Sequence, residues 1–155
     1  FHLGFGLESD GTLLYDLQDS GIVHGDRFHI GKFDPGSSGL KGFAVQQNNS
    51  SGLLFFCFEP STGEILWKYS QSSADVGRGE AADIDPRYPG FEVWAFNGVW
   101  NATTGEQITP AGEQPWPCLR LWWDGDVLSE IFNDGKIEQW DYNNNWMNRL
   151  VTTWH

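Results

Sequence analysis

The chain has 155 residues, 39% of them hydrophobic and 15% aromatic, with a formal net charge of −12. This length suits one domain with a sizeable core. The acidity excludes nucleic acid and anionic membrane as direct partners, because both need a basic face; a polyanionic substrate fits only with bridging cations, of which calcium, held by clustered carboxylate oxygens, is the natural one.

Helix signals are nearly absent: no window places apolar residues at i, i+3, i+4 and i+7 behind a cap. Nor does any window read as a signal peptide or a membrane span. Residues 1–16 read as the tail of one β unit. Strands are then predicted over 40–45, 53–58 and 65–69, over 92–96 and 98–100, and over 119–123, 127–132, 137–140 and 147–152. Gly, Asn, Asp and Ser separate them, and Asp134-Gly135 is a tight-hairpin signal. The two cysteines, Cys57 and Cys118, sit in apolar runs, and the spacing leaves open whether they are bridged. Glycan acceptor triplets begin at Asn48, Asn49 and Asn101, a weak indication of secretion.

A repeat organises these strands. Residues 83–95 match residues 32–44 at Asp34/Asp85, Pro35/Pro86, Gly39/Gly90 and Ala44/Ala95, with Leu40 and Phe91 alike in character. A looser copy follows over 123–130, and Ser61-Thr62-Gly63-Glu64-Ile65 returns as Thr103-Thr104-Gly105-Glu106-Gln107-Ile108. Units of this length with short, evenly spaced strands predict four-stranded β-propeller blades over 22–70, 74–110 and 116–152, within one partial domain spanning 1–155. A ring needs roughly 4–8 blades, so about three blades predict a share of a larger propeller. A small β-sandwich is the alternative all-β reading.

The repeat carries carboxylates. Asp83 and Asp85 flank one residue and so face the same side of an extended segment; a Pro-Gly loop then returns the chain to Glu92. Asp124, Asp126 and Glu130 repeat the pattern over a shorter loop. Both sets are candidate calcium ligands, and both can equally be turn carboxylates holding backbone. In the first copy Lys32 and Lys41 replace Asp83 and Glu92, which removes a metal there and predicts a Lys–Asp34 pair.

Several strings resemble the rhamnogalacturonan lyases of polysaccharide lyase family 11. They are His24-Gly25-Asp26-Arg27-Phe28-His29-Ile30-Gly31 with Phe33-Asp34-Pro35, then Asp75-Val76-Gly77-Arg78-Gly79, the run from Ala81 to Gly90, Glu92-Val93-Trp94-Ala95, and Trp122-Trp123-Asp124-Gly125-Asp126. The resemblance covers about residues 7–152. It implies an eight-bladed propeller binding several Ca2+ ions, secreted, and cleaving rhamnogalacturonan I of the plant cell wall by β-elimination at galacturonate C5. By the same resemblance His24 and Asp26 are calcium ligands in the cleft. Gln46 and Gln47 stand where the family has a His-Glu pair, so Gln47 offers a carbonyl oxygen in place of a charge. Arg78 matches a cleft arginine and catalytic candidate, suited to stabilising charge because it does not deprotonate. The family's catalytic lysine string is expected beyond residue 155, with the remaining blades supplied by the same or another chain.

Plainer roles stay open for these residues. His24 can bond backbone carbonyls, His29 suits a structural role, and Arg78 can pair with Glu80 or Asp75. A noncatalytic carbohydrate-binding propeller with degenerate metal sites, or a purely structural one, is the competing function.

Overall fold

The computed structural model describes residues 4–47, 49–71 and 76–153. Among them the only helical element is a single 3-10 turn, Gln18–Ser20, and the remaining elements are strands paired in antiparallel sheets. The described residues fall into two compact units: 4–32 with 36–78, and 33–35 with 79–153.

The first unit contains the hairpin β1 (Phe5–Leu7) and β2 (Leu13–Asp16), then the four-stranded meander β3 (Gly25–Gly31), β4 (Lys41–Gln46), β5 (Leu53–Phe58) and β6 (Ile65–Ser70). Every residue of β5 is buried, as its continuous apolar run requires. One face packs Ala44, Leu53, Phe56 and Phe58 with Leu17 and Ile22. Phe55 stacks on Tyr69 with centroids 5.0 Å apart and meets Phe43 at 5.8 Å. Each such fully buried side chain contributes about 1.5–3 kcal/mol. The edge strand β6 alternates half-buried and exposed residues.

The second unit holds β7 (Glu80–Ala82), β8 (Glu92–Trp94) and β9 (Val99–Asn101) in one sheet, and β10 (Leu119–Leu121), β11 (Glu130–Asn133), β12 (Lys136–Asp141) and β13 (Trp146–Thr152) in another. Ala82, Ile84, Trp94, Val99, Ile131 and Trp140 form its core. The sheet of β7–β9 has three strands where four were predicted. Its fourth place is filled by one bridge, Trp100 to Gln107. Ile108 and Thr109 both donate to the Val99 carbonyl, and the Thr109 hydroxyl accepts the Val99 N–H at 3.0 Å, so the ladder closes after one rung.

Strand predictions succeed where apolar residues run or alternate. β5 lies at its predicted bounds, β12 extends one residue further at each end, and β13 starts one residue earlier. The Asp134-Gly135 hairpin forms with φ of 49° and 67° between the paired Asn133 and Lys136, the mirror-image turn that matches strand twist. β11 starts at Glu130, three residues later than predicted. Asp126 Oδ1 accepts the Leu128 N–H at 2.7 Å and Ser129 donates to the Asp83 carbonyl at 2.7 Å, so residues 127–129 are committed to a loop. Cys57 and Cys118 are both free thiols, and burial raises the Cys57 pKa well above its ordinary value.

Candidate functional site

In the first unit the candidate residues gather where β3 begins and β4 ends. Gly25 pairs with Gln46 and Arg27 with Val45, so Asp26 is an extra residue in a β-bulge. Bulges re-aim side chains and are frequent beside functional sites; Asp26 is exposed here. His24 is half-buried, and its carbonyl accepts the Gln47 N–H at 3.1 Å. Gln47 is exposed. The structure therefore brings His24 and Gln47 together through their backbones, with Asp26 two residues on.

Gln46 explains how this corner is held. It is fully buried. Its Oε1 accepts from the backbone N–H groups of Val23 (2.6 Å) and His24 (3.3 Å), and its Nε2 donates to the carbonyls of Gly21 (3.1 Å) and Leu53 (2.8 Å). A buried carboxamide with both ends so engaged orders the segment entering β3. Sequence reasoning marked Gln46 only as a departure from a family pattern; its partners depend on a bend at 21–24 that no motif announces.

Arg78 lies between Gly77, at φ 49°, and β7, with its backbone N–H turned onto the Val76 carbonyl. Its side chain is exposed. Glu80 turns inward, and its Oε1 accepts the Ala81 N–H at 3.1 Å. Asp75, the other partner considered for Arg78, lies outside the described residues, as does Asn48.

The acidic loops occupy equivalent places in their sheets. Each joins a first strand to a second and is closed by a cross-strand pair: Gly31 with Lys41, Ala82 with Glu92, Leu121 with Glu130. In the first, Lys41 Nζ pairs with Glu59 at 2.8 Å.

In the β7–β8 loop Glu92 is fully buried. Its Oε2 accepts from the N–H groups of Ile84 (3.0 Å) and Asp85 (2.9 Å), while its Oε1 is buried without a hydrogen-bond partner. Burial pushes its pKa up to about 8 against the pull of those two N–H groups, and the charges of Asp83 and Asp85 add to the rise. Asp83 is half-buried and also raised, by burial and then by Asp85. Asp85 is bound by the Arg87 guanidinium in fork geometry, Nε to Oδ1 at 2.8 Å and an Nη2 to Oδ2 at 2.6 Å. Arg87 also donates to the Tyr142 carbonyl at 2.6 Å and lies over the Tyr142 ring. Asp85 thus serves an ion pair here, and the three acids of this loop do not converge.

The acids of the β10–β11 loop do converge. A carboxylate oxygen from each of Asp124, Asp126 and Glu130 lies within 4.8 Å of the others, the one such group among the described residues. Asp124 and Asp126 are exposed; Glu130 is fully buried. Glu130 Oε2 accepts the Trp123 N–H at 2.6 Å, and its Oε1 is buried without a partner. Burial raises the Glu130 pKa, the Trp123 hydrogen bond opposes this, and Asp124 and Asp126 add to the rise. Three hard oxygen donors with one buried oxygen left over fit a calcium ion.

Two of the glycan acceptors are engaged within the protein. Asn101 is buried, with its Oδ1 accepting from Thr103 and Thr104 at 2.9 Å; Asn49 Nδ2 donates to the Gln47 and Leu53 carbonyls.

The family described as "Rhamnogalacturonan lyase family 11, C-terminal domain" matches residues 3–155. The chain is 40% identical over 146 residues to rhamnogalacturonan endolyase YesW of Bacillus subtilis (strain 168), covering 94% of this chain and 23% of that protein. It is 36% identical over 154 residues to rhamnogalacturonan exolyase YesX of the same organism, covering 89% and 24%. A crystal structure of YesW superposes with a TM-score of 0.87 at 38% identity, over 96% of this chain and 24% of that one. The chain thus spans about a quarter of the length of the curated relatives it matches.

Proposed function

The chain belongs to rhamnogalacturonan lyase family 11, within the C-terminal domain, and from that premise we propose that it supplies part of a β-propeller that cleaves rhamnogalacturonan I by calcium-assisted β-elimination. Family membership over nearly the whole chain is the observation that carries this reading. The geometry adds a bulged Asp26 beside His24, an exposed Arg78, and a carboxylate cluster suited to calcium. Phe5, Leu7 and Leu13 in the first unit and Leu119 and Leu150 in the second remain exposed, surfaces that further blades of a larger ring would cover.

The chemistry required is removal of the galacturonate C5 proton and departure of the 4-linked rhamnose. Bound calcium would supply charge neutralisation and Lewis acidity at the uronate carboxylate. In this chain His24, Asp26 and the Gln47 carbonyl oxygen would hold it at the cleft, and Asp124, Asp126 and Glu130 would hold a structural ion. Asp83 and Glu92, with an unsatisfied Glu92 oxygen, offer a weaker third place, because Arg87 already satisfies Asp85. A guanidinium is suited to binding anions rather than to accepting protons, so the role of Arg78 is to bind the uronate and stabilise the charge that develops as C5 loses its proton. The group that takes the C5 proton is then a different one from Arg78. We infer that the protein works outside the cell, because the proposed substrate is a plant cell-wall polymer.

The engagement of Gln46 and the missing charge at Gln47 favour one rival, a propeller that binds the polysaccharide without cleaving it. Incubation of the protein with rhamnogalacturonan I, with calcium or with chelator, separates the two. The lyase reading expects calcium-dependent ultraviolet absorbance from unsaturated uronate ends, and a loss of about 10²–10³-fold in kcat for Arg78→Ala. Binding without absorbance would leave the noncatalytic reading.

A further inference from the structure

Between the β9–β10 connection and the β12–β13 turn, the second unit holds a cavity of about 350 Å³ lined by Glu113, Glu138, Trp140, Asn145, Trp146 and Met147. This lies within the range of roughly 300–1,000 Å³ typical of small-molecule pockets. No step of the proposed elimination uses these residues.

The walls are held by the protein itself. Gln114 Oε1 accepts the N–H groups of Gly98 (3.0 Å) and Gly112 (2.8 Å), which fixes the connecting segment. Asn145 adopts φ 54°, and its Nδ2 donates to Glu113 Oε2 at 2.8 Å, tying the β12–β13 turn to that segment. Trp140 is buried behind, opposite Met147 in the β12–β13 ladder. Trp146 differs: it lines the same cavity and is 68% exposed. An indole left in water beside a cavity that also offers two carboxylates and a carboxamide has the chemistry of a sugar site. Its flat face suits the C–H face of a pyranose, and the carboxylates accept hydroxyl hydrogens in charge-assisted bonds.

The same carboxylates select the kind of sugar. A uronate would set its charge against Glu113 and Glu138 on a chain already at −12, whereas a neutral ring brings only hydroxyl donors. We propose that this cavity binds one neutral pyranose unit. The proposal goes beyond the lyase reading and does not depend on it.

The test is a titration of the labelled protein followed by proton–nitrogen correlation spectra, reading the Trp146 indole N–H, assigned by its disappearance in Trp146→Ala. The probes are methyl β-galactopyranoside, methyl α-rhamnopyranoside, sodium galacturonate and calcium chloride. The proposal expects a saturable shift with at least one neutral pyranoside, galacturonate weaker by about tenfold or more, and binding weakened about tenfold in Trp146→Ala but largely kept in Trp146→Phe. Absence of a saturable shift with either pyranoside overturns it. So does galacturonate binding as tightly, or calcium alone reproducing the shift and blocking the sugar. If Trp146→Ala fails to fold, Trp146→Phe, which keeps an aromatic ring in place, supplies the assignment and the wild-type titrations still decide the matter.

Discussion

Glu92 and Glu130 face the same conflict at the residue scale: each is buried, each has one oxygen tied to backbone N–H, and each leaves the other oxygen without a hydrogen bond. A proton or a cation relieves it. For Glu92 without metal the sign follows from linkage. Its folded pKa of about 8 lies above the ordinary 4.5, so the native state holds a proton that the unfolded chain has released. Its contribution to stability is full below pH 4.5 and is lost as pH rises through about 8. In chelator, denaturation midpoints should fall across that window, and Glu92→Gln should flatten the fall; an unchanged slope in the variant would count against this origin. Gln46 offers a second test. Gln46→Leu removes the acceptor of the Val23 and His24 N–H groups, while the Gly21 carbonyl keeps Ser51 Oγ and the Leu53 carbonyl keeps Asn49 Nδ2; a buried group left unsatisfied costs about 1–3 kcal/mol. Urea unfolding should show a loss in that range or beyond, whereas a change under ~0.5 kcal/mol would mean that water replaces the amide.

At the scale of elements, the loops between first and second strands are stitched to one another. Phe91 donates to the Phe33 carbonyl at 2.9 Å, the two rings stack at 5.2 Å, and Ser129 donates to Asp83. Gly90 is obligatory at this junction: it has φ 101°, and a Cβ there would stand 2.2 Å from the Phe33 carbonyl oxygen. Gly90→Ala should therefore cost on the order of 2 kcal/mol or more, measured by thermal or chemical unfolding; a neutral result would contradict the packing of these loops. In the next loop, Glu130→Gln keeps the shape but removes a charge. Calcium titration by calorimetry should show affinity lowered at least tenfold relative to wild type, and equal affinity would place the ion elsewhere.

Much of this was legible in the sequence, for physical reasons. A run such as Leu53–Phe58, short, rich in aromatics and bounded by turn residues, reads as a strand buried on both faces, and Asp134-Gly135 suits the two positive φ angles of its turn. Asp124, Asp126 and Glu130 were legible as a cluster because their separation is short. The strand β3 was not predicted, because its polar, alternating residues read as a motif rather than as an edge strand. The fork of Arg87 on Asp85 was also hidden: it joins residues two apart, yet it depends on Tyr142, which lies far along the chain. The Lys41–Glu59 pair was not anticipated, because Glu59 comes within reach only when β4 and β5 align.

For the whole molecule, the sheets, the repeated loops and family membership support one account. On the function proposed above, this chain contributes a share of a calcium-dependent lyase acting on an acidic polymer, and calcium would reconcile its own negative charge with that of the substrate. Chelation should lower the unfolding temperature as well as the activity, since an ion bound only by the native state stabilises it. The most direct test of the central claim is mass spectrometry of the products formed from rhamnogalacturonan I in heavy-oxygen water. Elimination predicts unsaturated uronate ends lighter by one water than hydrolysis products, carrying no heavy oxygen, and formed only with calcium. Saturated ends carrying heavy oxygen, or cleavage that persists in chelator, would contradict the account.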